Sequence, residues 1–173
     1  MWVYYSGTPG VFNIKFNEYK ENNQVNTTLA QQLALYVVIY SPVQMAADLV
    51  EHYEANPKPL QFIKDVGVDW ETTQVLNGEV GDFVTIVRKE RKTGNWFLGS
   101  ITDENSREIT IDFSFLDDNV TYEAKTYKDG KNAHWDDNPT DIEIREMKID
   151  RNSRIDFHLV AGGGLAISLM VDK

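Results

Sequence analysis

Apolar positions are spread unevenly along the chain, and they concentrate in Thr27–Leu49, TTLAQQLALYVVIYSPVQMAADL. Thr28 followed three places on by Gln31 is a capping-box pattern, and Ser41-Pro42-Val43-Gln44 repeats it with proline in the first helical position. Between these two start signals, Leu33 to Tyr40 is apolar on every face. The pattern predicts two helices head to tail, over about 28–40 and 42–55, the first enclosed on all sides. In the second, Val43, Ala46, Ala47, Val50 and Tyr53 share a face, and Asn56-Pro57 reads as its end. Leu60–Lys64 reads as one further helical turn before Val66-Gly67.

From Val68 onward the period changes from helical to alternating. Phe83–Arg88 and Trp96–Ile101 read as a hairpin joined by Lys92-Thr93-Gly94-Asn95. Further strands are predicted over 108–115, 121–127, 142–149, 154–160 and 165–171, with Asp-Asp-Asn, Asp-Gly and Asn-Ser turns between them. Alternation places Trp96 and Leu98 together on the core face. Short strands at this spacing predict an antiparallel sandwich or Greek-key sheet. Ahead of the helices, Trp2–Tyr5 reads as a short strand, Ser6–Gly10 as a turn and Phe12–Asn26 as an exposed loop. The fold class is therefore α+β, with a boundary near residue 65 separating residues 1–64 from an all-β part over 65–173.

Charge narrows the partners. With 17 Lys+Arg against 27 Asp+Glu the chain carries a formal charge of -10, which speaks against nucleic acid and against an anionic membrane surface. No apolar run approaches the roughly 18 residues of a membrane span. The amino terminus has no basic leader before a long apolar core, so no secretory signal is read there. The chain has no cysteine, which removes disulfides, thiolate metal sites and cysteine nucleophiles.

Candidate chemistry is sparse. His52, His134 and His158 are far apart and fall in no metal-ligand spacing, so no metal site is expected. There is no nucleophile elbow and no phosphate loop. Ala161-Gly162-Gly163-Gly164 lies between two strands, where glycine marks a bulge or a tight crossing. Asp103-Glu104, Asp117-Asp118 and Asp136-Asp137 fall in predicted turns, for which Asp is suited by its own side-chain hydrogen bonding. Trp135, in the loop 132–138, and Trp70 are the candidate platforms for stacking on a sugar ring.

The motif series TTLAQQLALYVVIYSPVQMAADL, QFIKDVGVDWETTQVLNGEVGDFVTIVRK, NWFLGSITDEN, YKDGKNAHWDDNPT and AGGGLAISL resembles the carboxy-terminal part of glycoside hydrolase family 97, from about Thr8 to Lys173. The resemblance implies large periplasmic or secreted α-glucosidases or α-galactosidases of Bacteroidetes. Such enzymes have a central (β/α)8 barrel, and here residues 1–64 would be a short helical remnant of it. The rest would be a terminal β-domain associated with oligomerisation.

It also implies that the catalytic carboxylates and the calcium ligands lie upstream, so no catalytic residue and no cofactor is carried over and the chain is expected to be inactive alone. Thr8, Pro9 and Gly10 match the family at the active-site rim. Where the family reads Met-Asp-Tyr just before them, this chain has Tyr5-Ser6-Gly7, and the aspartate is not carried over. The expected partners are the chain's own catalytic barrel or a neighbouring subunit in a homo-oligomer. With the barrel absent, the first helix is expected to lack packing partners and to drive self-association. The alternative is a stand-alone carbohydrate-binding module that takes an oligosaccharide on Trp135 or Trp70.

Overall fold

Two strands of this chain are apolar on both faces, WFLGSIT and GLAISLMV, and both of their faces are covered. The structure, a computed structural model, describes residues 25–45 and 50–171. Its elements are helices α1 (Leu29–Val38), α2 (Val50–Glu54) and α3 (Pro57–Asp65), then strands β1 (Trp70–Glu79), β2 (Phe83–Glu90), β3 (Trp96–Thr102), β4 (Arg107–Asp112), β5 (Tyr122–Asp129), β6 (Ile142–Ile149), β7 (Arg154–Leu159) and β8 (Gly164–Val171). An antiparallel six-stranded sheet runs in the order β1-β2-β3-β8-β5-β6, and β4 pairs with β7 in a second, two-stranded sheet. The architecture is the α+β antiparallel sandwich that the alternation predicts.

The two-stranded sheet covers one face of the large one. Ile109, Ile111, Phe157 and Leu159 point inward from β4 and β7, onto Val87, Trp96, Leu98, Leu165, Ile167 and Leu169. Glu108, Thr110, Asp156 and His158 alternate with them on the solvent side, as a half-buried sheet requires. Trp96 and Leu98 share this core, as expected.

The opposite face is covered by helices. Leu33, Ala34 and Val37 of α1 and Phe62 of α3 pack on Phe97, Tyr127, Ala166 and Trp70. Phe62 sets its ring edge-on against Phe97 at 6.4 Å and Tyr127 at 5.2 Å. The close fit depends on small residues in the strands. A Cβ added at Gly99 would lie 2.6 Å from the Ala34 carbonyl oxygen, and one at Gly164 would lie 2.5 Å from the Gln31 Cα.

Three expectations about the helices are corrected. First, α1 is not enclosed all round and does not lack partners: it buries Leu29, Ala30, Leu33, Ala34 and Val37 against this chain's own sheet, and its other side is half exposed. It ends at Val38, because Ile39 is extended and its N–H closes on Leu35 O. Second, residues 41–45 are not helical. The Ser41 hydroxyl accepts from Val43 N in a local turn, and the Gln44 side chain turns back to donate to Tyr36 O; residues 46–49 lie outside the described residues, and Val50–Glu54 is helical as expected.

Third, Asn56-Pro57 follows the end of α2 at Glu54 as expected but also begins a further helix, longer than the single turn read over Leu60–Lys64. Pro57 takes the first position of α3, where its missing N–H costs nothing. The strand β1 has no counterpart in the sequence reading, because as an edge strand it is exposed on nearly every residue and shows no alternation.

Candidate interface surfaces and the helix junction

The ends of α1 are where polar side chains converge. At its start Thr28 is the N-cap, its hydroxyl accepting from Gln31 N, and its own N–H donates to Gly162 O at 2.9 Å. The Thr28 hydroxyl donates in turn to Asp129 Oδ1 at 2.6 Å. The second oxygen of Asp129 accepts from Val160 N at 3.2 Å and Gly164 N at 3.0 Å. One carboxylate at the end of β5 thus ties together the helix start and the glycine turn that leads into β8. Burial pushes its pKa up to about 6, against the opposing pull of its hydrogen bonds and of nearby His158. Gln31 adds a bond from Nε2 to Thr102 O at 2.7 Å.

At the other end Arg88 of β2 does the corresponding work. Its guanidinium donates to Val37 O at 2.6 Å, Val38 O at 3.3 Å and Thr73 Oγ1 at 2.9 Å. The Val37 and Val38 carbonyls are ones that the helix leaves without internal partners, and a cation there also matches the helix dipole. Tyr40 and Trp70 flank the guanidinium, with ring centroids at 5.6 and 5.9 Å. The sequence reading missed both residues. The signal was an inward register for each: Asp129 closes a strand of alternating burial, and Arg88 lies on the face of β2 turned toward α1.

The expected sugar platforms are placed differently. Trp70 is a correction: only 9% exposed, it packs edge-on to Phe97 at 5.8 Å and offers no free ring face. Trp135 is half buried, packed beside Gly162 and stacked with His134 at 5.7 Å. Thr8, Pro9 and Gly10 lie outside the described residues. The turn carboxylates have local partners: Asp103 accepts from Asn105 N, Asp117 accepts from Lys89 and the Tyr122 hydroxyl, and Asp118 pairs with Arg151. Among the described residues no group of three or more His, Asp or Glu is arranged to hold a metal ion.

Exposed apolar side chains mark two surfaces. Ile39, Tyr40, Val43, Met45 and Val50 follow the end of α1, with Met45 at 81% exposure. Val75 and Val80 lie on the β1–β2 hairpin, beside a cleft of 540 Å³.

The family model for the glycosyl hydrolase 97 C-terminal region, described by the word oligomerisation, matches residues 69–170, which is β1 through β8 almost entire. The chain belongs to this family. A retaining alpha-galactosidase of Bacteroides thetaiotaomicron is 37% identical over 82% of the chain and 21% of its own length. A probable retaining alpha-galactosidase of Streptomyces bingchenggensis is 31% identical over 40% of the chain and 11% of its length.

Among solved structures, a glycoside hydrolase family 97 enzyme from a Pseudoalteromonas species, in complex with acarbose, superposes with a TM-score of 0.86 at 48% identity. That match covers 96% of the chain and 26% of the enzyme. A beta-arabinopyranosidase shares the fold at a TM-score of 0.63 and 24% identity, over 82% of the chain and 21% of its own. The chain therefore spans about a fifth of the Bacteroides relative and a quarter of the Pseudoalteromonas enzyme. No helix among its described residues is long and apolar enough to cross a membrane.

Proposed function

We propose that this chain is the carboxy-terminal assembly segment of a family 97 α-glycosidase that releases terminal α-linked sugars, an α-galactosidase or α-glucosidase. Residues up to about 64 would close the catalytic barrel and the remainder would form the terminal β-domain. The observation that carries this reading is the tethering of α1 by Asp129 at one end and Arg88 at the other. A helix fixed at both ends to the sheet keeps its outer flank half exposed, and Ile39, Tyr40, Val43, Met45 and Val50 beyond it are exposed. Five exposed large apolar side chains in so short a stretch mark an interface. The part of the enzyme that precedes this segment is the occupant that fits, since the aligned relatives are nearly four times as long as the chain. Periplasmic or secreted localisation belongs to the same proposal, as does calcium bound elsewhere in the whole enzyme.

The test is hydrolysis of nitrophenyl α-galactoside and nitrophenyl α-glucoside by the purified chain. No turnover is expected. Turnover that disappears when one of the chain's own carboxylates is replaced would place a catalytic site inside it and overturn the proposal.

A further inference from the structure

We propose that Asn77-Gly78, on edge strand β1, is a site of spontaneous deamidation, at which the asparagine converts to aspartate and isoaspartate through a cyclic imide. Asparagine loses its side-chain amide when the backbone nitrogen of the next residue attacks its carboxamide carbon. Glycine in that next position leaves the nitrogen unshielded and the backbone free to bend. Asn77-Gly78 is the one Asn-Gly pair in the sequence.

Three features of the fold favour reaction there. β1 is the outermost strand of its sheet, and Asn77 and Gly78 are both exposed. A register shift between Val75 and Asn77 interrupts the pairing with β2 just ahead of the pair, so a regular ladder does not hold this stretch of backbone. The Gly78 N–H donates to Asn77 Oδ1 at 2.9 Å, so the carboxamide is already folded back over the nitrogen that attacks it. The carboxamide carbon is bonded directly to that oxygen, which brings nucleophile and electrophile close to the roughly 3–3.5 Å of a near-attack arrangement. The glycine is also dictated by its surroundings: a Cβ there would lie 3.2 Å from Phe83 O and 3.4 Å from Val84 Cγ2.

Competing positions among the described residues are held shut. Asp129-Gly130 could close the same ring, but its carboxylate is buried and bonded to Thr28, Val160 and Gly164, and Gly130 N donates to Asp141 O at 2.9 Å. Asn95 Oδ1 accepts from Val171 N at 3.2 Å, and Trp96 follows it. Asn105, Asn119, Asn132 and Asn152 precede residues whose Cβ shields the nitrogen, and Asn105 Nδ2 also donates to Asp103 at 2.9 Å. Asn56 and Asn138 precede prolines, which have no N–H.

The reaction takes up one water and releases one ammonia. Hydroxide removes the Gly78 amide proton, the nitrogen bonds to Asn77 Cγ, and the Cγ–Nδ2 bond breaks to expel ammonia. Water then opens the imide at either carbonyl. Breaking the bond from nitrogen to Cγ gives aspartate. Breaking the bond from nitrogen to the backbone carbonyl carbon gives isoaspartate, in which the main chain runs through the side chain with one extra methylene. No electrons are transferred. Either product adds a carboxylate next to Glu79, and the second lengthens β1 where its register is already broken.

The experiment is incubation of the 173-residue chain at neutral and at mildly alkaline pH, then trypsin digestion and mass spectrometry of the peptide 65–88, whose one asparagine is Asn77. Progressive replacement of NH2 by OH is expected in that peptide, with isoaspartate among the products, ahead of every other described asparagine. The rate should rise with pH, because hydroxide activates the nitrogen. Asn77→Gln, which leaves Gly78 in place but needs a larger ring, should keep the peptide intact over the same time. A free synthetic peptide of residues 65–88 is the reference, and the folded chain should convert within about tenfold of its rate. Asn77 that stays intact in the folded chain while the free peptide converts would overturn the site, and so would earlier conversion at Asn105 or Asn152.

Discussion

Thr28 and Asp129 meet across 101 residues of sequence, with the threonine hydroxyl donating to the buried carboxylate at 2.6 Å. The contact joins the first turn of α1 to the far end of β5. Thr28 is also a helix cap and Asp129 also holds the glycine turn before β8, so one pair fixes three segments of backbone.

Replacing this carboxylate separates its hydrogen bonding from its charge. Asp129→Ala leaves Thr28 and the N–H groups of Val160 and Gly164 without partners in a closed site, at an expected cost of about 3 kcal/mol. Asp129→Asn keeps the pattern, its oxygen accepting from the two N–H groups and its amide donating to Thr28. Urea unfolding should find the Asn variant within about 1 kcal/mol of the parent and the Ala variant far below it. Equal losses in both would show that the charge itself is required.

The same residue sets a pH dependence. Its folded pKa, about 6, lies above the unfolded carboxyl value near 3.9, so between those limits the folded chain binds more protons than the unfolded one. Its contribution to stability is therefore complete below about pH 4 and is lost as pH rises through about 6, amounting to at most roughly 3 kcal/mol. Carboxylates held low by their partners, among them Asp117 through Tyr122, act in the opposite sense and lose their contribution as the medium turns acid. Unfolding free energies for the parent and Asp129→Asn should diverge in slope between pH 4 and 6. Parallel curves there would contradict the assignment.

At the other end of α1, Arg88→Lys keeps a cation but loses the fork that serves Val37, Val38 and Thr73 together. A loss of about 2 kcal/mol is expected, with the largest gain in amide exchange over the last turn of α1. Exchange that rises evenly through the whole sheet would mean that the arginine supports global stability rather than the helix end.

The strands were legible because their chemistry is local. Alternation in REITID and RIDFHL, and turn residues at Asp117-Asp118-Asn119 and Asn152-Ser153, state a half-buried sheet without help from distant contacts. The cap at Thr28 was legible for the same reason, since its bond to Gln31 spans three residues. The start of the second helix was misread because Ser41-Pro42 satisfies a local rule that a competing contact overrides: Gln44, the residue meant to complete the cap, donates to Tyr36 instead. Edge strand β1 was missed because exposure on both faces leaves nothing to alternate.

By itself, the sequence determined the antiparallel β class, the start of α1, the core assignment of Trp96 and the family resemblance, all of which are written in short-range spacing or in the order of motifs. Only the tertiary structure decided what α1 lies against, that Asp129 and Arg88 hold its two ends, that Trp70 is buried, and which apolar residues stay exposed. These depend on pairs brought together from far along the chain, Trp70 with Phe97, Val37 with Arg88 and Thr28 with Asp129, and a period of two or 3.6 residues carries no record of such distances.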